Sequence, residues 1–211
     1  MSIPFHVLLR QKLRGLAVLR RHLGAWGALS VGLEVERLMG EGRPFGDSPE
    51  DELDPDESWC RAQIAPAIVL YGILQERDAD RAMEWTRSVV LESASIWMRH
   101  ALGDLSIARW RGLDEAGRRA LLRARTSQFR NMELADVEVD EAAAFFRVTL
   151  CRFPKMCEQA GVPELAPVFC AVDAHFFGGV ERSIALDRPE TLATGGGSCP
   201  FSLRWVDDPG A

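Results

Sequence analysis

The chain has 211 residues, 47% of them hydrophobic and 27% charged, with a net charge of -6. That is enough for one large domain, or two small packed ones, with a real core. The mildly acidic balance argues against a dedicated nucleic-acid binder, which needs a basic face.

Residues 5–23 and 28–39 are apolar at helical intervals and are divided by Gly24 and Gly27, which predicts two helices. The basic run Arg10, Lys12, Arg14, Arg20 and Arg21 spreads around the first of them and reads as a solvated face. Residues 43–57, "RPFGDSPEDELDPDE", are too acidic and too poor in apolar side chains to be buried. Asp56 or Ser58 could cap the next helix, "WCRAQIAPAIVLYGILQE", in which Pro66 predicts a kink or a break. A further helix starts near Asp78, with Met83, Val90, Ala94, Trp97 and Ala101 on one face and Gly103 as its stop. Asp114 then precedes another, "EAGRRALLRARTSQF".

Beyond Arg130 the period changes. "ELADVEVD" alternates as a half-buried strand, and "AAAFFRVTLCRF" follows across Asp140–Glu141, which predicts a hairpin. Phe146, Val148 and Leu150 should share one face; Arg147, Thr149 and Cys151 the other. Pro154 opens a short helix ended by Gly161, and Pro163 a second one running to about Phe177. "RSIALDRPETL" and "SCPFSLRWV" read as two more strands, joined across Gly195–Gly197. The expected fold is α+β: a helical N-terminal region, 1–128, packed on a ββααββ unit, 129–211, with a small antiparallel sheet.

The five cysteines do not fall at bridge-like or zinc-like spacings, and there is no CxxC, HxxxH or HExxH. The N-terminus lacks a leader-like apolar core, and the longest apolar run is too short for a membrane span. The expectation is a cytoplasmic protein with reduced thiols, without a membrane or nucleic-acid partner, without a cofactor or metal, and with a homodimer left open.

The last third carries the residues with chemical potential. Cys170 and Asp173 are three apart on a predicted helix and share a face. A carboxylate beside a thiol raises the thiol's pKa, so Asp173 suits a substrate amine or acid–base work better than activation of Cys170. The same pair could equally be a buried thiol and a structural acid. His175 follows Cys170 by five residues, about 140° round a helix at ~100° per residue, so a helical Cys–His dyad would need a third element. Cys151 is expected beside Arg147, which would favour its thiolate. Cys199 alternates with Phe201, Leu203 and Trp205 on a core-like face, directly after glycines 195–197, whose backbone N–H groups could approach a ligand. Cys60 and Cys157 have no such surroundings and read as structural.

The succession "TLCRFP", "GVPELAPVFCAVDAHFF" and "ATGGGSCPFSLRW" resembles the L-2-amino-thiazoline-4-carboxylic acid hydrolase family over about residues 142–205. That family has a strand ending in Cys-x-x-Pro, then a Cys-x-x-Asp helix, then a Gly-x-x-x-Cys-x-Phe strand. The resemblance marks Cys151, Pro154, Cys170, Asp173, Gly195, Cys199 and Phe201. A more distant likeness is to 4-vinyl-reductase-like ligand-binding domains. The family implies ring-opening hydrolysis of a cyclic amidine-like carbon to a carbamoyl-cysteine.

The residues and the resemblance together give the expectation of a cysteine-dependent hydrolase opening a C–N or C–S bond in a small amino-acid-derived heterocycle. Cys170, Asp173 and Cys199 would be catalytic. Cys151, Arg147, Gly196, Gly197 and His175 would line the substrate site. The alternative is a non-enzymatic small-molecule or metal-binding module using the same thiols.

Overall fold

The computed structural model describes residues 3–46 and 54–206. Residues 47–53 of the acidic loop read at 43–57 therefore lie outside the described residues. The chain forms α1 (Phe5–Gly40), α2 (Pro55–Arg77), α3 (Ala79–Leu102), α4 (Ile107–Arg111), α5 (Glu115–Thr126), β1 (Met132–Val139) and β2 (Ala143–Cys151). It continues with α6 (Arg152–Gln159), α7 (Ala166–His175), β3 (Ile184–Asp187) and β4 (Cys199–Trp205). The four strands make one antiparallel sheet in the order β1-β2-β4-β3. The α+β expectation holds, with helices first and strands last.

α1 is a folded-back hairpin rather than a rod. Lys12 and Glu36 form an ion pair of 2.7 Å, although a straight helix would separate them by about 36 Å. The reversal is at Gly24, whose φ of 72° and ψ of 178° are not helical. Gly32 completes it: a Cβ there would sit 2.7 Å from Leu16 Cδ2, so the arms touch because that side chain is missing. A Cβ at Gly24 meets nothing, so Gly24→Ala should act through backbone strain alone and cost about 1 kcal/mol in urea unfolding.

The hairpin lies on α2 and α3, held by Arg14 to Glu92 and by Arg77 to Glu34. Asp54 caps α2 by accepting from the N–H groups of Asp56 and Glu57, two and four residues ahead of the caps expected at Asp56 or Ser58. α2 runs through Pro66 without ending. Asp78 and Asp114 cap α3 and α5, and Gly103, at φ 56°, ends α3.

The buried face of the sheet carries Ala144, Phe146 and Val148 from β2 and Cys199, Phe201, Leu203 and Trp205 from β4. Phe146 stacks on its cross-strand partner Phe201, ring centroids 4.9 Å apart. Trp205 stacks on the fully buried Trp110 of α4 at 4.1 Å. Both indoles are satisfied: Trp110 Nε1 donates to the Asp140 carbonyl and Trp205 Nε1 to that of Leu105. Among the described residues, no helix is long and apolar enough to cross a membrane.

The β1–β2 hairpin departs from simple alternation. Leu134 pairs with Val148 but Glu133 pairs with Leu150, so Thr149 is an extra residue in β2. A bulge inverts the side-chain phase beyond it. Leu150 is therefore turned outward, 40% exposed, and Cys151 inward. The expected face of Arg147, Thr149 and Cys151 does not exist, and this error bears directly on the site.

Candidate active site

Cys151 ends β2 at the point where the chain turns into α6. Its sulfur accepts from Asn131 Nδ2 at 3.6 Å and from the Phe153 backbone N–H. Burial nevertheless pushes its thiol up. Arg147 lies on the outer face, paired with Asp136 at 3.2 Å. The expectation that it would activate Cys151 is thus corrected: the bulge at Thr149 sends the two side chains to opposite faces.

Cys170 and Asp173 sit on α7, both half-buried. Arg188, just after β3, reaches across to them. Its Nη1 donates to Asp173 Oδ2 at 2.6 Å and its Nη2 to the Cys170 carbonyl at 2.6 Å. The guanidinium lies over the Phe201 ring, 5.0 Å from its centroid. Its side chain is 9% exposed and that of Asp173 23%. Burial raises the Asp173 carboxyl pKa, against the opposing pull of Arg188. The cation thus offsets part of the burial that favours the protonated acid.

Burial also pushes the Cys170 thiol up to about 11, with Arg188 again pulling the other way. Cys199 opens β4 on the buried face, and its sulfur accepts from the Leu192 N–H at 3.2 Å. Burial is the main influence raising its pKa; the Leu192 amide and Arg188 lower it. The thiols are close enough to act on one another. Cys151 and Cys199 each raise Cys170, and Cys199 raises Cys151. All three thiols thus lie within electrostatic reach of Asp173, and Cys170 within reach of the other two.

Cys60 of α2 and Cys157 of α6 border the same cluster, both fully buried and both within the influence of Cys151. Burial pushes each thiol up to about 12. A folded-state value above the unfolded one means that the unfolded chain releases protons first as pH rises. Stability should therefore fall above about pH 9, by ~1.4 kcal/mol per pH unit for each such thiol. Urea titrations at rising pH should show that slope reduced by one proton in Cys60→Val and again in Cys157→Val.

The glycine loop plays a different part from the one expected. The N–H of Gly196 is used within the turn, bonded to the Thr191 carbonyl at 2.9 Å, and that of Gly195 to the Leu192 carbonyl. A Cβ at Gly196 would lie 2.9 Å from the Thr191 oxygen, so this glycine closes a turn rather than donating to a ligand. Gly197 is exposed, with open space around it. The loop's donor to the site is Leu192. His175 ends α7, half-buried, and takes no part in the interactions just described at the thiols. The residue that sequence reasoning missed is Arg188. Its sequence signal was weak: a cation between a short strand and the glycine loop.

A separate hollow of about 160 Å³ is lined by Trp59, Trp97, His100 and Arg130 among others, and by none of the cysteines. Among the described residues, no three His, Cys, Asp or Glu side chains are grouped to hold a metal ion. The metal-binding alternative therefore has no ligand set among them.

The model of the L-2-amino-thiazoline-4-carboxylic acid hydrolase family matches residues 61–203, more than half of the chain. The chain belongs to this family. No curated protein and no solved structure matches it. The matched region runs from within α2 into β4 and takes in every residue of the thiol cluster except Cys60. Membership makes hydrolysis of a thiazoline carboxylate the activity to be reconciled with this geometry.

Proposed function

We propose that the chain is a cysteine-dependent hydrolase that opens an amino-acid-derived cyclic amidine, with Cys170 as nucleophile and Arg188 as the anchor of the substrate carboxylate. The observation that carries this reading is the placement of Arg188. A nearly buried guanidinium with five N–H donors uses two on Asp173 and the Cys170 carbonyl. The remainder can take a carboxylate in a fork, the geometry arginine serves best.

Cys170 is preferred over Cys199 because it is half-buried rather than buried, and the Cys199 sulfur already accepts from Leu192. At a pKa of about 11 its thiol is protonated at neutral pH. The proton therefore has to leave on binding. The incoming amidine nitrogen is basic and can take it, which pairs a thiolate with an amidinium. The sulfur then adds to the amidine carbon, and the ring C–N or C–S bond breaks with the departing heteroatom taking a proton. Water next attacks the enzyme-bound carbon; its oxygen becomes the carbonyl oxygen, and the Cys170 thiol is released. Asp173, paired with Arg188 through Oδ2, would hold the exocyclic amine through Oδ1.

The test is ring opening of 2-aminothiazoline-4-carboxylate by chains with each cysteine replaced in turn by alanine, with intact-mass detection of a covalent adduct. Loss of turnover and of adduct in Cys170→Ala is expected. Full turnover in that variant would remove the role.

A further inference from the structure

We propose that the α1 hairpin is a self-association surface, and that its occupant is the same hairpin of a second copy of this chain. Among the described residues, exposed large apolar side chains concentrate on α1. On the arm 5–23, Phe5, Leu9 and Leu13 recur every four residues; on the arm 25–40, Trp26, Leu29 and Leu33 recur at three and four. These spacings set each trio on one stripe. Leu13 is 57% exposed, Leu33 64% and Trp26 84%.

Val7 and Val18 of the first arm, and Ala28 and Val31 of the second, are buried. At ~100° per residue they lie on the opposite side of each cylinder from the stripes, so both stripes face away from the bundle. The antiparallel arms, aligned by Lys12 with Glu36 and Leu16 with Gly32, bring Leu13 and Leu33 to within about one turn of the same level. The stripes therefore join into a single diagonal from Phe5 to Trp26. An exposed apolar track of this extent marks an interaction surface.

Charge selects the partner. The first arm carries Arg10, Lys12, Arg14, Arg20 and Arg21 and no carboxylate, a surplus of cations; the second carries Glu34, Glu36 and Arg37, a surplus of one acid, with Glu36 meeting Lys12 and Glu34 meeting Arg77 inside the chain. With a two-fold axis along the hairpin, each first arm lies antiparallel on the partner's second arm, cations over acids, in a four-helix arrangement. A two-fold axis across the hairpin would stack cation-bearing arm on cation-bearing arm. The face measures roughly 28 by 20 Å, the footprint of two helices side by side, and a stable interface needs about 800 Å² of accessible surface per partner. This surface lies before the family match, which begins at residue 61, and the inference does not depend on the proposed chemistry.

Sedimentation velocity of the full chain at micromolar concentration decides the matter. The expected species is two 23.4 kDa chains. The variant Leu13→Glu/Leu33→Glu should sediment as a monomer with unchanged circular dichroism. Should that variant fail to fold, Trp26→Ser, at the most exposed site, should weaken association at least tenfold. A monomeric wild type, or a double variant that stays dimeric, would overturn the proposal. So would a monomeric wild type that co-sediments with phosphatidylserine vesicles, which would give this face to a lipid surface.

Discussion

Replacing Arg188 with methionine should damage both stability and turnover. The change leaves the half-buried Asp173 carboxyl without its cation, and breaking one side of a fully buried pair costs about 3 kcal/mol, an upper figure for this site. It also removes the two influences that hold the Asp173 carboxyl down, leaving only the burial that raises it, so its pKa should rise further. Urea unfolding of Arg188→Met should show the loss, and the second change Asp173→Asn should recover most of it by removing the orphaned charge. Turnover separates architecture from chemistry. If the guanidinium holds the substrate carboxylate, KM should rise about 10- to 100-fold, the worth of one charge-assisted pair, and the stabilised Arg188→Met/Asp173→Asn chain should stay impaired. A double variant with normal KM would reduce Arg188 to a structural clamp.

Cys170→Ala should leave the fold intact and abolish catalysis. Its side chain is half-buried, so loss of the sulfur should cost no more than ~1 kcal/mol. Loss of a covalent nucleophile should cost on the order of 10³-fold or more in kcat. The free enzyme offers a second readout. With its thiol at about 11, Cys170 is almost wholly protonated at pH 7, and its thiolate fraction grows tenfold per pH unit on the way up. Alkylation by iodoacetamide, followed by peptide mass spectrometry, should be slow at pH 7 and accelerate with that slope to about pH 10. Fast, pH-independent alkylation at neutral pH would show a pre-formed thiolate and discard the idea that the substrate takes the proton.

Much of the framework could be read from residue order, because it depends on local chemistry. Gly24, Asp114, Gly103 and the alternation of Cys199 with Phe201, Leu203 and Trp205 each act within a few residues of their own position. What could not be read depends on a partner strand or a distant segment. The bulge at Thr149 exists only relative to the register of β1, so nothing in "RVTLC" announces that Cys151 turns inward and parts from Arg147. Arg188 matters through contacts 15 and 18 residues back along the chain, at a position where its own neighbours say only that a strand has ended. The glycine loop misled for a related reason. Its composition shows flexibility, but where each N–H points is settled by the turn at Thr191.

The segment between β3 and β4 provides two things at once: the Arg188 guanidinium facing α7 and the Leu192 amide facing Cys199. The thiol of Cys170 belongs to a different body, a helix anchored on α3. In the proposed chemistry the cation that would hold the substrate carboxylate and the sulfur that would attack therefore come from different segments, joined by two hydrogen bonds. A change of length in this segment should re-aim cation and amide together and leave the Cys170 sulfur, the proposed nucleophile, on its own helix. This gives a lineage, or an engineer, a single cassette through which to change the ring that is accepted without rebuilding the group that attacks it.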